Sequence, residues 1–282
     1  MILFVTQTVS WKIAQCIQTG LRRLDDVICC SVALAAEQQI ANAKAVVTLG
    51  WKPLAEYVRV HETALRFGIP HIAISDGYLQ RSADSIPRYS SGYWAVSLNG
   101  LNIYTKAPFE EMPSDRWDRL NIALQPWKHD GKEIVVAHQH GLDWKGGSRK
   151  EEFDLIMHAA KNTGKRLLVR YHPNYWGAVP KGLKEYCFSS SQARRHKNPI
   201  ENDLTDAYCL VSVDSNAAIN AIINGIPSFL MRECLPLAKV GTDFVNRFFP
   251  ERQPWFNWLT YQQWTAEEIG SGTPFRRTIN VS

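Results

Sequence analysis

Four short polar stretches carry the residue types in this chain that could do chemistry. The first is Asp76-Gly77-Tyr78-Leu79-Gln80-Arg81. A carboxylate within hydrogen-bond reach of an alcohol can take its proton as the oxygen attacks, so Asp76 is the candidate general base. Gly77, Tyr78 and Arg81 would line the acceptor side, with Arg81 pairing with Asp76 or holding an anionic substrate. An Asp-Gly turn that bonds only local backbone is the competing use. The other stretches are His138-Gln139-His140-Gly141-Leu142-Asp143 with Gly146-Gly147-Ser148, Arg170-Tyr171-His172-Pro173-Asn174, and Asp214-Ser215-Asn216. Together they offer imidazoles, a guanidinium, hydroxyls and the start of a helix, a set suited to a diphosphate. Arg170 has the fork geometry that phosphate oxygens accept, and a helix N-terminus presents free N–H groups.

His138 and His140 sit two apart, a metal-like spacing, but no third ligand is evident and structural histidines are the preferred reading. Asp25-Asp26 reads as a solvated helix end. No metal site is therefore expected. The absence of a Walker loop and of GxGxxG takes support from kinase and dinucleotide readings. Three basic clusters, Arg22-Arg23, Arg194-Arg195-His196-Lys197 and Arg276-Arg277, could track a nucleic-acid backbone. Short charge runs are also ordinary solvated surface.

The elements that must position these residues read as alternating strands and helices. Residues 209–213 form a short apolar, β-branched run, as in a buried parallel strand. Asp214, Ser215 and Asn216 are all helix-capping types. Ala217, Ala218, Ala221 and Ile222 then recur at helical spacing, Asn224-Gly225 ends the helix, and 228–231 is a second strand. The first half repeats the pattern: strands at 2–6, 27–32, 45–49 and 71–75, and helices at 11–24, 33–43 and 53–67. The second half restarts with strands at 133–137 and 166–170 around a helix at 151–161. This is a doubly wound parallel arrangement, whose ligands bind beyond the carboxyl ends of the strands. All four polar stretches lie just past such ends.

At 282 residues, two domains are expected. The divisions read as 1–128, 129–240 and a tail at 241–282. The tail is rich in aromatics and is expected to be helical, packing back across the domains. A composition 45% hydrophobic and 21% charged is core-forming. Six cysteines without paired spacing fit free thiols in a cytoplasmic protein. No apolar run is long enough to span a bilayer, and the N-terminus reads as a first strand instead of a signal peptide. A net charge of +5 permits a polyanionic partner without requiring one. Ten Trp and ten Tyr suit stacking on sugars or bases, or plain core packing.

The order of these motifs resembles the capsular polysaccharide glycosyltransferases of the Kdo-transferase type. That family shows Glu-Asp-Gly-Phe-Leu-Arg-Ser, Lys-Pro-His-Pro and Ser-Thr…Ala-Leu…Gly-Lys-Pro stretches. Asp76, Gly77 and Arg81 match the first, with Ser75 in place of Glu. His172 and Pro173 match the second, with Tyr171 in place of Pro. Ser215, Gly225 and Pro227 match the third. The resemblance spans about residues 70–230 and implies a GT-B fold, two facing Rossmann-like domains. It implies a UDP- or CMP-linked sugar as co-substrate, no cofactor and no bound metal. The donor side would comprise Gln139, Asp143, Gly147, Ser148, Arg170, His172, Ser215 and Asn216, with His172 and Ser215 on the phosphates and Asp76 near the reacting hydroxyl. The size, tail and basic balance also look like bacteriophage-encoded glycosyltransferases, working in the host cytoplasm. The acceptor would then be a hydroxymethylated pyrimidine in DNA, contacted by Arg194, Arg195 and Lys197. A transferase building a capsular or lipopolysaccharide glycan, a nucleotide-sugar epimerase on the same scaffold, and a binding module with a decayed site are the alternatives.

Overall fold

A computed structural model describes residues 1–7, 12–50, 55–82, 91–99, 110–138, 150–170, 187–189, 199–213, 215–231 and 235–279. In chain order the elements are β1 Ile2–Val5, α1 Lys12–Arg22, β2 Val27–Cys30, α2 Glu37–Ala41, β3 Ala45–Leu49, α3 Ala55–Arg66, β4 His71–Asp76, β5 Tyr93–Leu98 and α4 Asp115–Leu120. There follow β6 Glu133–Ala137, α5 Lys150–Lys161, β7 Arg166–Arg170, β8 Cys187–Ser189, α6 Ile200–Asp203, β9 Ala207–Ser212, α7 Ala217–Ile223, β10 Ser228–Leu230 and β11 Lys239–Val240. The chain closes with α8 Gln253–Thr260, β12 Gln263–Thr265, α9 Ala266–Gly270 and α10 Thr273–Thr278. No described helix is long and apolar enough to cross a membrane.

Two compact units result, one from the chain up to Leu120 together with Pro254 onward, the other from Asn121–Gln253. The first carries a sheet of order β12-β5-β4-β3-β1-β2, in which β2, β1, β3 and β4 are parallel, β5 runs antiparallel to β4, and β12 runs antiparallel to β5. β1 and β3 are almost wholly apolar and fully buried because both their faces are covered, whereas β2 at the sheet edge is partly exposed. Ile2 and Phe4 face one core with α1 and the C-terminal Ile269 and Phe275, whereas Leu3 and Val5 face another with Val60 and Ala64 of α3. The tail is not purely helical: Gln263, Trp264 and Thr265 form an edge strand. It reaches the first core over Gly20, where an added Cβ would stand 2.0 Å from the Ile269 carbonyl oxygen. The helix expected at 33–43 shortens to α2.

The second unit carries the order β11-β10-β9-β6-β7-β8, all parallel. Counted from β6, this is the 3-2-1-4-5-6 arrangement of a full dinucleotide-type sheet. The division expected at 128 falls inside this unit, because residues 121–131 run along it as a strap. Gln125 N–H donates to the Ile223 carbonyl (2.8 Å), and Lys128 N–H to that of Gly225 (2.8 Å). Arg252 donates to the carbonyls of Ile222 and Gln125 (2.7 Å each) and stacks on Trp127. Arg247 lies over the Tyr208 ring and donates to the His129 carbonyl.

One buried histidine gives the first unit a pH dependence. His71 is fully buried, with Nε2 3.0 Å from the Thr48 hydroxyl and Nδ1 2.9 Å from Nδ1 of His61. Burial, reinforced by the neighbouring His61, pushes its pKa down to about 3. The folded state thus favours the neutral ring. Its contribution is fully present above the unfolded value near 6.5 and is lost as pH falls toward about 3. Denaturation in urea at pH 7, 6 and 5 should show stability falling through that range, with a clearly smaller fall in His71→Gln.

Candidate functional site

In the first unit the candidate base stands where β4 leaves the core. Asp76 is in register with Trp94 of β5, and Trp94 with Trp264 of β12. Alternation puts the Asp76 side chain on the same sheet face as Ile72 and Ile74, one step beyond the last buried residue, where it is half-buried. The following loop is held against β5. Gly77 N–H donates to the Tyr93 carbonyl (3.0 Å), and Tyr93 N–H to that of Gln80 (3.1 Å). A Cβ on Gly77 would stand 2.6 Å from the Tyr93 oxygen, so close backbone approach requires the glycine. Gln80 adopts φ 44° and its side chain donates to the Leu120 carbonyl (2.9 Å). Arg81 forms a β-bridge with Tyr93 and is half-buried.

Tyr78 departs from its expected place on the acceptor side. Its side chain is only 6% exposed, next to an equally buried Leu79, so it anchors the loop in the core instead of presenting a ring to a substrate. The Tyr78 and Leu79 N–H groups both donate to Gln263 Oε1, at 2.9 Å each. Gln263 was not legible as a site residue: it lies some 185 positions away in an aromatic segment, with no motif to single it out.

In the second unit the strand order reverses between β6 and β9, and the crevice beyond their carboxyl ends is where sheets of this topology take ligands. His138 follows β6 there, 3% exposed, its N–H donating to the Arg170 carbonyl (2.8 Å). Ser212 ends β9. Its hydroxyl accepts the Ser215 N–H (3.2 Å), and the Ser215 hydroxyl accepts the Ala217 N–H (3.2 Å) at the start of α7. Ser215, one residue before the N-cap, thus satisfies the first helical N–H, while the N-cap Asn216 makes no side-chain cap bond. Both are partly exposed, leaving the Ser215 O–H placed to donate to an incoming oxygen. Since α7 has only seven residues, its dipole adds little beyond these local groups.

Arg170 ends β7 on the same edge, but its guanidinium is paired at 2.5 Å with the carboxylate of Asp203 in α6, and both side chains are largely buried. The ion pair is a partner that sequence spacing did not reveal. Of the other expected donor residues, Gln139, Asp143, Gly147, Ser148 and His172 lie outside the described residues, as do Arg194, Arg195 and Lys197. Two of the remaining basic clusters are tied into the fold. Arg23 donates to the Gly270 carbonyl (3.1 Å), Arg276 to that of Ser271 (3.0 Å), and Arg277 stands 4.0 Å from Glu110. Among the described residues, no group of three or more His, Cys, Asp or Glu is arranged to hold a metal ion. Cys16, Cys29, Cys30 and Cys209 are free thiols, and burial pushes that of Cys209 up to about 12.

No protein-family model and no curated protein sequence matches the chain. Among solved structures it resembles Thermosulfurimonas dismutans KpsC, beta Kdo 2,7 transferase, over 98% of this chain and 100% of that one, with 16% identity and a TM-score of 0.58. It also resembles Thermosulfurimonas dismutans KpsC, beta Kdo 2,4 transferase, over 93% of this chain and 91% of that one, with 14% identity and a TM-score of 0.59. A Methanocaldococcus jannaschii UDP-GlcNAc 2-epimerase aligns more loosely, over 98% of each chain at 12% identity and a TM-score of 0.38. The fold is GT-B.

Proposed function

We propose that the chain is a glycosyltransferase that moves a sugar from a UDP- or CMP-linked donor to a hydroxyl of a capsular or lipopolysaccharide glycan. One observation carries this reading: the likeness to two Kdo transferases runs over almost the whole chain, and of the motifs that suggested the same family, Asp76 ends β4 and Ser215 follows β9. The donor's phosphate would sit in the crevice between β6 and β9, met by the Ser215 hydroxyl, Asn216 and the loop after His138. Arg170 would help frame it from β7, and Gln139, Asp143, Gly147, Ser148 and His172 are proposed to complete the donor side. In the reaction Asp76 accepts the proton of the acceptor hydroxyl as its oxygen bonds to the anomeric carbon. The bond from that carbon to the phosphate oxygen breaks, and the nucleotide leaves with the electron pair. Donors aimed at the developing phosphate charge supply most of the stabilisation. Gly77 and Arg81 shape the acceptor side.

The hydroxymethylated-pyrimidine acceptor has less behind it, because the solved structures that this chain resembles over almost its whole length are Kdo transferases. The test is a panel of UDP- and CMP-linked sugars, Kdo included, against glycan and modified-DNA acceptors at two ionic strengths. Glycan-dependent release of nucleotide, little changed between 50 and 200 mM salt, is expected. Turnover on DNA that collapses over that range would reverse the choice of acceptor. Donor isomerisation with no acceptor present would point to an epimerase.

A further inference from the structure

The loop bearing Asp76 hangs from a side chain far along the chain. Gln263 is fully buried and accepts two consecutive N–H groups, from Tyr78 and Leu79, at 2.9 Å each. Only the oxygen of a carboxamide can accept, so the two donors fix which way the amide faces. Among the described residues its Nε2 is buried and makes no hydrogen bond, so the acceptor half does the holding. Gln263 is itself fixed in two ways. β12 pairs with β5, setting Gln263 opposite Ala95. Arg116 of α4 donates to the Gln263 carbonyl (2.8 Å) and the Thr260 carbonyl (3.0 Å), and grips both oxygens of Glu268 (2.7 and 3.1 Å). Its guanidinium lies over the Trp264 ring, and Glu268 in turn accepts the Thr265 N–H (2.8 Å). A linked set of buried and partly buried contacts thus runs from the C-terminal segment to the two peptide units immediately after Asp76-Gly77.

We infer that Gln263 is a positioning residue for the acceptor loop: through Tyr78 and Leu79 it sets where the Asp76 carboxylate stands relative to the attacking hydroxyl. This rests on the reading of Asp76 as the base. Two buried N–H groups need an acceptor, and without Gln263 they must turn elsewhere and take the loop with them. A displacement of about 1 Å at a reacting group is worth on the order of 10²-fold in rate. A role confined to fold stability would leave the chemical step in the folded enzyme unchanged, and this separates the two possibilities.

The experiment compares Gln263→Met, which keeps the shape and removes the acceptor, with Gln263→Glu, which keeps the acceptor. In Gln263→Met the amides of Tyr78 and Leu79 should exchange with solvent at least ~10-fold faster, while those of β1 and β3 stay as in the wild type. kcat should fall ~10–100-fold, with affinity for UDP and CMP unchanged because the nucleotide is placed on the other unit. Gln263→Glu should restore both the protection and most of the rate. Wild-type exchange at Tyr78 and Leu79 in Gln263→Met, or wild-type kcat despite faster exchange, overturns the proposal. Should Gln263→Met fail to fold, Gln263→Asn, one methylene too short to reach, is expected to show the same two losses, and wild-type behaviour there is equally fatal. If Asp76→Asn leaves turnover intact, the transferase reading of the loop fails on its own, while the exchange data still report whether Gln263 holds it.

Discussion

Asp76→Asn is expected to lower kcat by about 10²–10⁴-fold, the range that a positioned general base contributes, with nucleotide affinity unchanged. The substitution is nearly isosteric, so the loop's anchors stay in place: Gly77 on the Tyr93 carbonyl, and Tyr78 and Leu79 on Gln263. An amide cannot take up the acceptor's proton at neutral pH, and that is the one property removed. Because the donor is assigned to the other unit, calorimetry with UDP and CMP should give wild-type constants. A variant with wild-type kcat would show that the carboxylate serves only the turn. A loss confined to nucleotide affinity would show that the loop belongs to the donor side.

Gly225→Ala is expected to cost the second unit about 3 kcal/mol. Gly225 has φ +73°, which costs a non-glycine residue roughly 1–2 kcal/mol. The larger problem is steric. A Cβ there would lie 1.9 Å from the Pro126 carbonyl oxygen, so the strap at 121–131 has to lift. Lifting it strains the Gln125–Ile223 and Lys128–Gly225 backbone bonds, each worth ~1 kcal/mol net. It also disturbs the Arg252 guanidinium, which is largely buried between two carbonyls and the Trp127 ring. Urea denaturation should show a lower midpoint with an unchanged slope. An unfolding free energy within about 0.5 kcal/mol of wild type would mean that the strap does not cross over Gly225.

Much of this architecture is written locally. The buried runs at 45–49, 133–137 and 209–213 are mostly apolar, without alternation, because parallel strands are covered on both faces, and they appear as β3, β6 and most of β9. The Asn-Gly after α7 reads as a helix stop, which it is. Its second reason, the strap crossing over Gly225, depends on residues a hundred positions earlier and leaves no local sign. Edge strands escaped for a related reason. β8 and β11 have three and two residues, and β12 begins with a buried Gln that looks polar to any pattern.

The site divides the same way. Residues following strand ends could be picked out, because residue type and position suffice: Asp76, Arg170 and Ser215 do stand on carboxyl edges. What each side chain then does is tertiary. The aromatic ring of Tyr78 turns inward, Arg170 is claimed by Asp203, and Gln263 supplies the acceptor that the loop needs. An Asp-Gly-Tyr-Leu string cannot distinguish a ring that meets a sugar from one that fills a core.

The claim that matters most is that the second sheet grips the donor's phosphate where its strand order reverses. A crystal soaked with the UDP- or CMP-linked sugar that the enzyme turns over tests this directly. The account predicts phosphate oxygens within hydrogen-bond distance of the Ser215 hydroxyl, in the crevice between β6 and β9. A nucleotide sugar bound beyond the strands of the first unit, or at the opposite end of the β6–β9 pair, would contradict it.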